Sequence, residues 1–215
     1  MNDKPERKSV VATRRGDDGT TGLLFGGSDR VWKDDVRTEA YGDVDEAVAV
    51  LGLARAELAQ KAHDGALPHN LAHMNEVILR LQRELFVVGA ELATAPGRRD
   101  RQKPGETRVS AAMVDSLDAI LSDTEAAIEL PREFVVPGET RLSAALEVAR
   151  TIVRRAERRV VGFRRAEPVE DDHLLPYLNR LADLLWVLAR AAEKAESREA
   201  VPSRGLVQQN QSERP

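Results

Sequence analysis

Apolar residues recur in steps of three and four through most of the chain, and this spacing predicts five amphipathic helices. The clearest spans residues 70–92, where Leu71, Met74, Ile78, Leu81, Leu85, Val88 and Leu92 form one buried stripe. The first helix is expected to start at Asp43, where Asp43 and Glu46 read as a D-x-x-E capping box, with Val44, Ala47, Leu51, Ala54 and Leu58 along one face. A third begins with Ser110 as N-cap and buries Val114, Leu117 and Leu121. The fourth is predicted over residues 142–163. The fifth starts near Pro176 and runs to about residue 194, with Leu178, Leu181, Leu185 and Leu188 as its seam. Residues 94–109 and 130–140, with their prolines and glycines, read as connectors, and residues 13–42 as a structured loop. The expected fold is all-α, a five-helix up-and-down bundle over residues 12–196. Residues 1–11 and 197–215, polar and poor in apolar side chains, are expected to be disordered.

Composition narrows the function classes. Aromatics make up only 4% of the 215 residues, which favours aliphatic helix packing over a sheet. Net charge is -4, from 32 basic and 36 acidic residues, a balance that argues against general nucleic-acid binding. The absence of cysteine excludes disulfides and thiolate ligands. No apolar run approaches the roughly 20 residues that span a bilayer. The N-terminus lacks a secretory h-region, so a cytoplasmic protein with no membrane partner is expected.

Three segments carry candidate chemistry. In RRGDDGTTGL, residues 14–23, glycines at 16, 19 and 22 allow sharp turns that present backbone N–H groups, and Thr20, Thr21 and Arg14 add donors suited to a polyphosphate. No Gly-Lys-Ser/Thr follows, so this is not a Walker A loop; read alone, it fits a surface turn. In ARTIVRRAERRV, residues 149–160, five arginines crowd fewer than three turns of a partly buried helix. ATP phosphates would satisfy them, and so would a solvated face paired to Glu157. In the last helix Asn179, Asp183, Trp186 and Arg190 form a polar and aromatic stripe; Asn179 and Asp183 suit a ligand, the arginines of helix four, or solvent. His69 and His73 are four apart without an evident third ligand, and Asp34 and Asp35 offer a carboxylate for Mg²⁺ or simply solvated charge.

Together, and in this order, these segments resemble the PduO-type ATP:corrinoid adenosyltransferases. The resemblance covers residues 12–195 and rests on TRRGDDGTTGL from Thr13, Lys33-Asp34-Asp35, EAYGDVDE over 39–46, LQRELFVVGAELAT over 81–94, FVVPG over 134–138, ARTIVRRAERRV, and LNRLADLLW over 178–186. It implies a homotrimer with active sites at subunit interfaces. There cob(I)alamin attacks C5′ of ATP, giving adenosylcobalamin and triphosphate, with Mg²⁺ as cofactor. A reductase and an adenosylcobalamin-dependent mutase are the implied partners. By resemblance, Thr13, Arg14, Gly16, Asp17, Gly19, Thr20, Thr21 and Lys33 hold ATP, with Arg154 and Glu157 supplied by the neighbouring subunit, Arg155 beside them, and Asn179 as another nucleotide contact. Arg150 and Asp45 match an ion pair across the interface, and Phe134 an aromatic at the lower face of the corrinoid. The chain departs from the family pattern at Arg15, at Trp32, at Ala47-Val48-Ala49 and at Glu139, the last two near the expected corrinoid pocket. Those departures motivate an alternative, a non-catalytic ATP- or cobalamin-binding bundle for storage, delivery or regulation. A purely structural bundle explains the helices but not the N-terminal loop.

Overall fold

The computed structural model describes residues 12–170 and 172–204; the expectation of disorder over residues 1–11 and 205–215 lies outside the described residues. Within them a short antiparallel hairpin, β1 (Thr20–Gly22) and β2 (Arg30–Trp32), precedes α1 (Val36–His63), α2 (Met74–Ala93) and α3 (Ala111–Ala126). Strand β3 (Val135–Val136), α4 (Arg141–Ala166), α5 (Leu174–Ala195) and strand β4 (Val201–Pro202) follow. The expected five-helix bundle is the fold. α1 lies between α2 and α4, α4 packs on α5, and α5 carries α3.

The first helix begins a full two turns earlier than the sequence suggested. Asp35, in extended conformation, accepts the N–H of Arg37 and caps the helix. Asp43 and Glu46 therefore lie inside α1, and their i, i+3 spacing serves an ion-pair face rather than a cap. Asp43 Oδ1 accepts from Arg155 Nε at 3.0 Å and Asp43 Oδ2 from Arg159 Nε at 3.1 Å. Gly42, a helix-weakening residue worth about 1 kcal/mol against alanine, is what disguised this stretch as a break. The other helix starts fall close to expectation. Thr140 and Ser143 cap α4 reciprocally, and Pro176 occupies the first turn of α5.

The stripe expected on α2 is buried throughout, and Leu51, Leu58, Leu81, Leu85, Leu146, Leu181 and Leu185 fill the core between helices. Each such side chain contributes about 1.5–3 kcal/mol by leaving water. Tyr177 is the largest fully buried side chain, and its hydroxyl donates to Glu84 Oε2 at 2.9 Å. Burial, with the Glu84 carboxylate beside it, pushes the Tyr177 pKa well above 10.0. The folded state thus holds this proton more tightly than the unfolded chain, so the associated stability is present below pH about 10 and is lost as pH rises beyond it. Tyr177→Phe is expected to cost about 1 kcal/mol at neutral pH. It should also flatten the loss of stability as pH rises beyond about 10, as read by urea unfolding.

One part of the chain expected to be disordered is ordered. Val201 and Pro202 pair with Val136 and Val135, and Ser203 N donates to Phe134 O at 2.8 Å. Backbone pairing, not side-chain burial, holds this segment, which is why its polar composition gave no sign of it.

Candidate active site

The segment with β1 and β2 is built around two cations. Arg30 Nε donates to Thr20 Oγ1 at 2.6 Å, and Arg30 Nη2 to the carbonyls of Arg15 at 2.6 Å and Thr20 at 3.0 Å. Lys33 Nζ donates to Gly16 O at 2.8 Å. A side chain at position 16 would meet Lys33 Nζ and Thr20 O at 3.1 Å, and Gly19 adopts φ +81, so both positions favour glycine for reasons of space and backbone. Thr20 donates through N and Oγ1 to Asp18 Oδ1, and these bonds, the N–H first, hold the Asp18 carboxyl below its usual range. Thr13, Arg14 and Asp17 stay exposed at the rim, while Thr20 and Thr21 are half-buried. The result is a shaped, donor-rich loop.

This loop is bolted to one end of the bundle. Leu24 N donates to Ala93 O at 2.8 Å, and Ala95 N donates to Leu24 O at 2.9 Å. Arg37 completes the joint. It donates to Leu92 O and Thr94 O, which the end of α2 leaves unsatisfied, and makes a two-pronged bond to Glu167 just beyond α4. Its guanidinium stacks 4.4 Å from the Phe163 ring centre.

The second group of candidate residues lies elsewhere on the bundle. Arg154 Nη1 donates to Glu157 Oε2 at 2.7 Å, and Asn179 Nδ2 to Glu157 Oε1 at 3.3 Å, so these three expected residues form one cluster. Phe134, Arg150, Arg154 and Asp183 meet around one cavity of about 710 Å³, with Trp186 and Arg204 on its wall. Phe134 is 84% exposed, a conformation held through the pairing of β3 with β4. Arg150 Nε donates to the buried Glu147 at 2.6 Å. Behind Glu147 stands Arg190, which sequence reading placed in a polar stripe and which is in fact buried, paired with Glu147 and Glu193. Burial raises the Glu193 carboxyl pKa despite Arg190 beside it.

Within one chain the loop and this cluster are apart. α4 runs antiparallel to α1: Arg37 meets Glu167, Arg159 meets Glu39 and Asp43, and Arg155 meets Asp43 and Glu46. The loop therefore lies level with the last turn of α4, and Arg154 is about 20 Å further along the axis at 1.5 Å per residue. Among the described residues no hydrogen bond or ion pair joins residues 13–33 to Arg150, Arg154 or Glu157. Two expected site residues stand outside both groups. Arg155 is committed to Asp43 and Glu46 on α1, and Asp45 is exposed with no partner among the described residues. Neither Ala47-Val48-Ala49 nor Glu139 lines this cavity; Ala47 is in the core, Val48 and Glu139 are half-buried and Ala49 is exposed. Sequence reading missed Arg30, Glu147 and Arg204. The Glu147/Arg150 spacing of three was a legible signal, whereas Arg30 and Arg204 carried none.

A family model described as cobalamin adenosyltransferase matches residues 11–192. A corrinoid adenosyltransferase of Mycobacterium tuberculosis is 40% identical over 184 residues, 85% of this chain and 88% of that protein. A corrinoid adenosyltransferase of Citrobacter freundii is 38% identical over 183 residues, covering 85% and 94%. Among solved structures, a phenylalanine-to-alanine variant of a PduO-type ATP:corrinoid adenosyltransferase from Lactobacillus reuteri, complexed with cobalamin and ATP, superposes with a TM-score of 0.75 at 29% identity, over 91% of this chain and 99% of that one.

Proposed function

The chain belongs to the cobalamin adenosyltransferase family, and from that premise we propose that its active site is composite, the N-terminal loop of one protomer facing the α4–α5 cavity of the next. It is a transferase acting on ATP and a corrinoid. Cobalt of cob(I)alamin attacks C5′ of ATP; the Co–C bond forms as the C5′–O bond breaks, and the electron pair leaves on the triphosphate. No proton has to be removed, so no general base is required of the protein. Its work is to align cobalt with C5′ and to neutralise charge on the leaving triphosphate. The alternative of a bundle that only stores or delivers its ligands gives way to this transfer chemistry.

The observation that carries the composite reading is that two groups that both suit a nucleotide share no hydrogen bond or ion pair among the described residues, Arg154 lying about 20 Å along α4 from the end of the bundle that carries the loop. Loop residues Thr13, Arg14, Gly16, Asp17, Gly19, Thr20 and Thr21 offer backbone and hydroxyl donors, and Lys33 adds a cation. Arg154, Glu157 and Asn179 offer a guanidinium, a carboxylate and an amide preset by their mutual hydrogen bonds. Asp45, exposed and without a partner among the described residues, fits a partner outside its own chain, with Arg150 the matching cation. Phe134 presents an apolar ring to the cavity where a corrinoid's lower face would lie, Asp183 bounds the same cavity, and Arg155 supports the arrangement from its α1 ion pair. A closed homotrimer is the assembly this reading takes. Among the described residues no cluster of three or more acidic or histidine side chains fits a dedicated metal cage. Such a donor set suits a magnesium ion held chiefly by the nucleotide phosphates, with Asp34 the exposed carboxylate nearest Lys33 in sequence. Magnesium there would supply further charge neutralisation to the phosphates. Among the described residues no helix is long and apolar enough to cross a membrane, and a cytoplasmic setting suits the reading.

Mixing tests it. Lys33→Ala damages the loop half and Arg154→Ala the cavity half, so each variant alone is expected to convert ATP and cob(I)alamin to adenosylcobalamin poorly. When the two are unfolded and refolded together, about a quarter of the interfaces in a cyclic assembly combine two intact halves, and a comparable share of wild-type turnover should return. A mixture no more active than its parts would place both halves in one protomer and refute the composite site.

A further inference from the structure

We propose that Arg190 is a positioning residue for the transfer, fixing through Glu147 the orientation of Arg150 at the cavity wall. The inference rests on the reading of that cavity as the corrinoid and triphosphate site. Glu147, on α4 and 4% exposed, uses both carboxylate oxygens: Oε2 accepts from Arg150 Nε at 2.6 Å, and Oε1 lies 3.2 Å from Arg190 Nη2. Arg190 comes from α5, is equally buried, and also donates from Nη2 to Glu193 Oε1 at 2.9 Å. Its guanidinium carbon lies 5.6 Å from the ring centre of Trp186, which lines the same cavity.

A role in stability alone accounts poorly for this chain of charges. Arg190 Nε and Nη1 and Glu193 Oε2 are buried with no hydrogen-bond partner among the described residues. Buried charges with unused donors stabilise little, and a well-packed apolar side chain often does as well or better. What the chain does accomplish is mechanical. An Arg150–Glu147 pair on the surface of a single helix would exchange among rotamers. Held from α5 by Arg190, the Glu147 carboxylate becomes a fixed acceptor, and Arg150 is anchored by Nε. Its two terminal nitrogens have no partner among the described residues, which leaves them oriented for a carboxylate or phosphate arriving from outside the chain.

Turnover and unfolding midpoint, measured on the same variants, separate positioning from stability. Arg190→Met is expected to lower kcat about tenfold and to lower the midpoint, since Glu147 loses a buried counter-charge. Adding Glu147→Gln should restore part of the midpoint, Glu193 still lacking its counter-charge, without restoring kcat, because Arg150 still lacks its anchor. Glu147→Gln alone should lower kcat with the midpoint nearly unchanged, and it carries the test if Arg190→Met does not fold. In an Arg150→Ala background, Arg190→Met should change kcat less than about twofold. Recovery of kcat together with the midpoint, or full multiplication of the Arg190 and Arg150 effects, overturns the inference and leaves the cavity reading intact. Full turnover in Arg150→Ala itself would overturn both.

Discussion

Arg154→Ala is expected to lower turnover about 100-fold or more while helix content and unfolding midpoint stay close to those of the parent. The side chain is 47% exposed and its one side-chain partner among the described residues is Glu157 three residues on. An exposed pair of this kind contributes only about 0–1 kcal/mol to folding. Glu157 keeps Asn179 as a partner, so no stranded buried charge follows. The chemical consequence is far larger. As C5′ passes to cobalt, negative charge builds on the departing triphosphate, and removing one preorganised donor from such a centre costs about 2.7–4 kcal/mol of barrier. Arg154→Lys should recover part of the loss, since a point charge replaces a two-pronged planar donor. The measurement is kcat and the KM for ATP on fresh cob(I)alamin, with circular dichroism and a melt on the same samples. Turnover within about twofold of the parent would remove Arg154 from the site.

Phe134→Ala is expected to act on the reduction that precedes transfer. In assays that begin from cob(II)alamin and a reductant, product formation should fall about 100-fold. With cobalamin already reduced to cob(I), the loss should be only a few-fold. An axial ligand below cobalt raises the orbital that must accept the electron, so a dry aromatic surface that keeps ligand and water away makes the metal easier to reduce. For a one-electron couple a factor of 100 corresponds to about 120 mV. At 84% exposure, removing the ring strips little buried area, so stability should not move. The ring's position depends on its backbone: Phe134 O accepts from Ser203, and β4 runs beside β3. Equal losses in both assays would show that Phe134 shapes binding and not the potential of cobalt.

Much of this was legible in the chain because helices write their packing locally. The α2 stripe and the Leu178–Leu188 seam repeat every three or four residues, and each proved buried. The start of α1 was not legible, because a capping pair and an ion-pair face use the same residue types at the same spacing; only the placement of Arg155 and Arg159 across from Asp43 distinguishes them. The residue types that make up the candidate site stand out in the sequence: the loop glycines, the arginine-rich turn of α4 and Phe134. Their grouping does not. That Arg150 and Arg154 share a cavity with Phe134, while Arg155 one residue on turns to α1, follows from the rotation of about 100° per residue around α4 once its neighbours are known. Arg30 was invisible because its partners are mostly backbone carbonyls, which every sequence has.

Arg37 joins the carbonyls that end α2 to Glu167, a carboxylate 130 positions later in the chain. Ribosomal synthesis proceeds at about 5–20 residues per second, so this joint closes only some seconds after the turns of the N-terminal loop have left the exit tunnel. Until then those turns hang from an unfinished scaffold. A growing chain therefore completes the seat of this loop late, after the fourth helix has emerged to close the end of the bundle.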